Sequence, residues 1–169
     1  MTTNPKKPLP TVERLRELLR YEPETGKFFW LVDRTQNVKA GSEAGSICGK
    51  YVQVGVDNVS IYAHRAAWAL HHGAWPANDV DHINGAGRDN RITNLRDVSK
   101  DINLQNQRRA RRDSGTGLLG ASWYEKKGKF LAQIRVKGRT RHLGYFQTAE
   151  AAHDAYVKAK RQLHAGCTI

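Results

Sequence analysis

The stretch DHINGAGRDNRITNLRDVSKDINLQNQ, residues 81–107, sets an adjacent Asp-His pair ahead of two spaced asparagines, Asn94 and Asn103. These residue types at these spacings suit one-ion hydrolysis of a phosphodiester. That reaction needs an activated water, a cation for the charge on the scissile phosphate and leaving oxygen, and a fixed geometry. Asp81 is a hard oxygen ligand of the kind Mg²⁺ or Mn²⁺ prefers. Asn103 offers a neutral carbonyl oxygen as a second ligand, which leaves positions open for water and phosphate. His82 is then available as the base, because an imidazole titrating near neutrality takes a proton from water when its other ring nitrogen is held by a hydrogen bond. Asn94 is the candidate to hold it. Singly, each residue has an ordinary reading: Asp-His beside Asn-Gly is common in turns, and a lone His is more often a surface or capping residue than a base. Four of them in register, inside a basic chain and just before a run of Asn and Gln, favour a site.

The elements that must carry these residues follow from periodicity. In TVERLRELLRYE, Val12, Leu15 and Leu19 recur at helical spacing and Thr11 can cap the first turn, which predicts an amphipathic helix. KFFWLVD and KYVQVGVDNVSIYAHR, the latter turning at Asp57-Asn58, predict a small N-terminal sheet that supports the site or touches nucleic acid. Residues 64–72 predict a helix ending at Gly73, with Trp68 and Leu70 as core candidates. Asp97 to Gln107 predicts a second helix, with Asn103 and Asn106 on one face. QRRARRDSGTG is a basic, flexible linker. Beyond it, period-2 runs at 119–124, 130–136 and 139–146, with turns at Lys127-Gly128 and Lys137-Gly138, predict a three-stranded antiparallel sheet. Thr148 then caps a helix whose stripe is Ala152, Ala155, Tyr156, Ala159 and Leu163. Alternation puts Gln133 and Arg135 on one face of the middle strand, with Ile134 and Val136 on the helix side and Trp123 beneath the sheet. The fold class is α+β.

Charge narrows the partner. The 169-residue chain carries 28 Lys+Arg against 16 Asp+Glu, a formal net charge of +12. Residues 1–107 hold 14 basic and 12 acidic groups, whereas 108–169 hold 14 basic and 4 acidic. The C-terminal third is the electrostatic anchor for a polyanion, and its binding should weaken steeply with salt. MTTNPKKPLP has no apolar core for a signal peptide, and no run approaches a membrane span. Cys48 and Cys167 lack the paired spacing of a zinc site or disulfide framework and read as free thiols. His71 and His72 read as helix-end residues.

The segment HRAAWALHHGAWPANDVDHINGAGRDNRITNLRDVSKDINLQN, His64 to Asn106, resembles the HNH endonuclease domain of phage and intron-encoded nucleases. The resemblance implies a ββα-metal module in which Asp81 and Asn103 are metal ligands, His82 is the general base and Asn94 orients it. Asn103 stands where the family's name has His, as in the H-N-N variant, and favours a hard, oxygen-preferring ion. The Tyr-x-Pro-x-Thr-Gly-x-Phe pattern at 21–28 is similar to leader regions of phage HNH proteins. FLAQIR, HLGYF and TAEAAHDAY resemble the AP2 DNA-binding domain, whose sheet lies in the major groove. That likeness aligns Ser122, Tyr124, Gln133, Arg135, Thr140 and His142 with DNA-facing positions. With the linker's Arg108, Arg109, Arg111 and Arg112, and with Lys126, Lys127, Arg139 and Arg141 around the sheet, they form the expected DNA-binding set.

The organisation expected is a disordered tail (1–10), an N-terminal helix and small sheet (11–63), an HNH nuclease module (64–107), a basic linker (108–117) and an AP2-like domain (118–166). The implied protein is a Mg²⁺- or Mn²⁺-dependent endonuclease of double-stranded DNA, a phage protein of the host bacterial cytoplasm, with no membrane association and no protein partner evident. The rival from another class is a non-catalytic DNA-binding phage regulator with the HNH unit as scaffold. A metal-dependent RNase is a weaker alternative, since nothing points to recognition of a 2′-hydroxyl.

Overall fold

A computed structural model describes residues 7–169, so the first six residues of the expected tail lie outside the described part. The chain forms two compact units, one ending at Val98 and one beginning at Ser99. This boundary falls inside the stretch 64–107 that the sequence reads as one module. Among the described residues no helix is long and apolar enough to cross a membrane.

The first unit opens with α1 (Val12–Leu18), whose first turn is capped by Thr11, its Oγ1 accepting from Arg14 N at 3.1 Å. The expected helix through Glu22 stops early, because Leu19–Glu22 pairs as strand β1 with β2 (Lys27–Trp30). The backbone bonds that a longer helix would have made are satisfied by that hairpin instead. β3 (Glu43–Ala44) completes this sheet, and β4 (Ser46–Cys48), β5 (Tyr51–Val56) and β6 (Val59–Tyr62) form a second. Asp57 and Asn58 both take positive φ, 49° and 63°, as a two-residue turn joining β5 and β6 requires. α2 (Ala63–His72) ends at Gly73 in the left-handed conformation. Its buried face is Ala63, Ala66, Ala67 and Ala69, small enough for close packing in one core with Leu15, Phe28, Val54, Val56 and Ile61. Each of the larger side chains contributes about 1.5–3 kcal/mol through burial. Trp68 and Leu70 pack against this core only partly buried.

The last elements of this unit are β7 (Asp79–His82), a single 3-10 turn at Ile92–Asn94 and β8 (Leu95–Val98), with β7 and β8 paired antiparallel. Asp97 lies in β8, not at the start of a helix. Its carboxylate accepts from the main-chain N–H groups of Ala77 and Asn78 at 2.9 and 3.0 Å, which fixes the approach to β7.

In the second unit α3 is short, Lys100–Gln105, and begins at Ser99, whose hydroxyl accepts from Ile102 N. The expected helix from Asp97 to Gln107 is thus trimmed at both ends. Three antiparallel strands follow, β9 (Ala121–Tyr124), β10 (Lys129–Val136) and β11 (Arg139–Phe146), in the order β11-β10-β9. The first connection is a 3-10 turn at Glu125–Lys127 closed by Gly128, longer than a two-residue hairpin. Thr148 caps α4 (Ala149–Leu163), which covers the face bearing Ala121, Ala132 and Ile134. Of the expected stripe, Ala152 and Ala159 are buried, whereas Ala155, Tyr156 and Leu163 are half-buried. Lys160 is buried, its Nζ donating to the carbonyl of Gln107, and burial pulls its pKa below the usual lysine range.

Trp123 departs from expectation. It pairs with Phe130 on the face that α4 covers, yet it is 55 % exposed, its ring edge-on to Phe130 at 5.0 Å. β9 is the sheet's edge strand, so nothing beyond it covers that side chain.

Gly120 sets how closely the chain passes over α4. Its φ is 71°, and a Cβ there would lie 2.0 Å from Tyr156 Cγ. Gly120→Ala is therefore expected to cost at least about 2 kcal/mol, from the positive φ and the ring overlap together. A urea unfolding midpoint equal to that of the wild type would refute this.

Candidate active site

Asp81 and His82 end β7, and both are buried, at 8 % and 5 % exposure. Directly opposite Asp81 on β8 stands Arg96. Its Nε and Nη2 both donate to Asp81 Oδ2, at 3.0 and 2.8 Å. This ion pair escaped the sequence analysis. The signal was the β7–β8 register, since a two-stranded ladder makes residues 81 and 96 cross-strand neighbours.

His82 Nε2 lies 3.2 Å from Asn90 Oδ1. The Asn90 amide nitrogen faces the carbonyl of Arg88 at 3.4 Å, so the oxygen is the atom presented to the ring. His82 Nε2–H therefore donates to Asn90, and in the neutral ring Nδ1 is the unprotonated nitrogen able to take up a proton. Burial lowers the His82 pKa, partly opposed by the Asn90 bond and by Asp81 and Asp89.

Asn94 does not hold the ring by a side-chain bond of its own. Its Oδ1 accepts from Asn84 N at 2.9 Å, and its Nδ2 donates to Asp89 O at 2.7 Å. Its main-chain oxygen accepts from Ile83 N at 2.8 Å. It clamps the loop between His82 and Asn90, while the orienting contact expected of it belongs to Asn90. Asn90 was missed because, inside GRDNR, it looks like any turn asparagine.

The N-terminal hairpin holds that loop. Tyr21 Oη donates to Asn90 O at 2.7 Å, and Ile92 N donates to Pro23 O at 3.1 Å. Gly26, φ 74°, meets residues 90 and 91 so closely that a Cβ would lie 2.5 Å from Arg91 N. Asp89 is bound by Arg91, with Nη2 to Oδ2 at 2.6 Å, and by the Asn84 amide at 2.7 Å. The Arg91 contact is the main reason its pKa falls to about 2.

His64 is the further group against this site, its ring centroid 5.0 Å from that of His82. Burial, with His82 and Arg65 adding repulsion, pushes its pKa down to about 3. Between its ordinary pKa and that value the unfolded chain takes up a proton that the folded chain refuses, so stability is lost as pH falls. From neutrality to pH 5 the loss assigned to His64 is about 2 kcal/mol. His64→Phe should remove that part of the acid sensitivity. Parallel pH–stability curves for variant and wild type would refute it.

Among the described residues no group of three or more His, Cys, Asp or Glu side chains is placed to hold a metal. The donor chemistry of Asp81, one buried carboxylate, fits a hard divalent cation completed by neutral oxygens, water and phosphate. Asn103, the other expected ligand, is half-buried on α3 of the second unit.

In that unit, the expected nucleic-acid contacts fall on two faces of the sheet. Gln133 pairs with His142, Arg135 with Thr140 and Leu131 with Ser122, so these side chains share the face away from α4. Arg139 pairs with Val136 and Arg141 with Ile134, which sets both arginines on the opposite face. Tyr124 is half-buried beside Tyr145, ring centroids 5.4 Å apart, and Lys127 Nζ lies 4.0 Å over the Tyr145 ring. Tyr145 was not singled out from the sequence. Lys126, Lys127, Arg109, Arg111 and Arg112 are exposed. Arg108, also exposed, donates to Thr168 O at 2.8 Å.

No curated protein and no solved structure gives a significant match to the chain. Residues 61–105, which include Asp81, His82, Asn90, Asn94 and Asn103, match the family described as HNH endonuclease, and this supports nuclease action on nucleic acid at the level of the family.

Proposed function

We propose that the chain is a metal-dependent DNA endonuclease with His82 as general base. The observation that carries this reading is the buried Asp81-His82 pair with the ring tied through Nε2 to Asn90, inside the segment that matches the HNH family. Nδ1 of His82 takes the proton from the attacking water, Asn90 keeps Nε2 protonated, and Asn94 and the N-terminal hairpin hold Asn90. Asp81 would hold a divalent ion, which would supply Lewis-acid charge for the scissile phosphate and leaving oxygen; Asn103 is a second ligand only as the resemblance implies. The face bearing Ser122, Gln133, Arg135, Thr140 and His142 docks on duplex DNA in the manner of AP2 sheets, and the linker arginines follow the backbone.

A non-catalytic DNA-binding role is the second reading, favoured by the Arg96 guanidinium on the ligand carboxylate of Asp81. One experiment separates the two. Supercoiled plasmid is incubated with the protein in Mg²⁺, Mn²⁺ or EDTA, beside His82→Ala, with an RNA duplex as a control. Metal-dependent nicking or linearisation of DNA that the variant loses is expected. A mobility shift with no cutting under either metal overturns the nuclease reading, and preference for the RNA duplex overturns the substrate.

A further inference from the structure

His64, near the start of α2, is 8 % exposed, and its Nδ1 is buried with no hydrogen-bond partner. A polar nitrogen buried unpaired is destabilising, so hydrogen bonding does not explain this residue. Its surroundings are aromatic. Tyr62 stacks on it at 5.5 Å and 17°, Tyr51 lies 5.4 Å away, and the His82 ring stands at 5.0 Å and 74°. Tyr51 also lies along the other imidazole, 5.9 Å from His82 at 30°. Gly87 seats Tyr51 in turn, since a Cβ there would come within 2.7 Å of the Tyr51 ring.

His82 is thus met by two rings from different directions, Tyr51 nearly parallel to it and His64 nearly perpendicular. The hydrogen bond to Asn90 fixes Nε2, and rings on two sides restrain the plane of the imidazole. We infer that His64 is a positioning residue, forming with Tyr51 an aromatic wall that fixes the plane of the His82 ring. The inference rests on the nuclease reading with His82 as base. It assigns His64 a role through the shape of its ring, which its unpaired nitrogen and its three ring neighbours share as a reason.

The test compares His64→Phe with His64→Leu in the full chain. Phe keeps a flat ring and removes the unpaired nitrogen, so His64→Phe should cut plasmid DNA within about threefold of the wild-type kcat and melt no lower. Leu fills the space without a flat ring and should lower kcat at least about tenfold, with KM and duplex affinity in EDTA unchanged. In metal-free protein the His82 imidazole NMR signals should stay sharp in the Phe variant and broaden in the Leu variant. Wild-type kcat and unchanged His82 signals in His64→Leu would overturn the inference, as would a Phe variant as slow as the Leu one, which would make the nitrogen the functional group. If His64→Leu fails to fold, Tyr51→Leu carries the same expectation from the other side of the wall. Failure of the nuclease reading is distinguishable, because then the wild type itself does not cut, while the NMR comparison still decides whether the wall orders His82.

Discussion

His82→Ala is expected to lower the rate of DNA cleavage by about 10²–10⁴-fold, the usual worth of a positioned general base, with duplex affinity unchanged. The expectation rests on how the ring is held. Nε2 is committed to Asn90, Nδ1 is the nitrogen assigned to take the proton, and burial lowers the pKa of the ring. Asn90→Ala should give a smaller loss, about tenfold, since the base keeps its nitrogen and loses only its tether. Single-turnover cleavage beside a mobility-shift assay checks both. Equal rates for His82→Ala and wild type would remove the base assignment, and a parallel loss of affinity would move His82 from chemistry to binding.

The two variants mark what was legible in the sequence. The Asp-His pair stood out by residue type and spacing, and the C-terminal strands were readable because alternation and Lys-Gly turns are local signals. α1 was read too long because its apolar spacing continues through Leu19, while the pairing of β1 with β2 is a contact the helical pattern does not contain. Asn90 and Arg96 were missed for a related reason. Each acts on a residue at least eight positions away, through the loop after β7 or across the β7–β8 ladder, and neither has a distinctive type. Arg139 and Arg141 were grouped with Gln133 and Arg135 by charge, but the irregularity between Ala132 and Gln133 and the strand register put them on opposite faces. The polar groups that orient a site are selected by tertiary geometry, so a motif supplies the reacting residues sooner than their supports.

Asn94→Ala is the variant that tests this division between reacting and supporting residues. Truncation leaves the Asn84 N–H and the Asp89 carbonyl without their partners, both in a partly buried loop. At about 1–3 kcal/mol for each, the expected destabilisation is about 4 kcal/mol. Because Asp89 directly precedes Asn90, loosening the clamp also frees the residue that tethers His82, so cleavage should fall with stability. Asn94→Asp sharpens the test. It keeps an acceptor for Asn84 N–H but sets a carboxylate oxygen against the Asp89 carbonyl, and should be at least as destabilised as the Ala variant. A direct hold on the imidazole predicts a different pattern, in which Asn94→Ala unfolds at the wild-type urea concentration and only kcat drops. Unfolding midpoints measured beside cleavage rates decide between them. A clamp makes the two fall together, whereas loss of rate at full stability would return Asn94 to the ring.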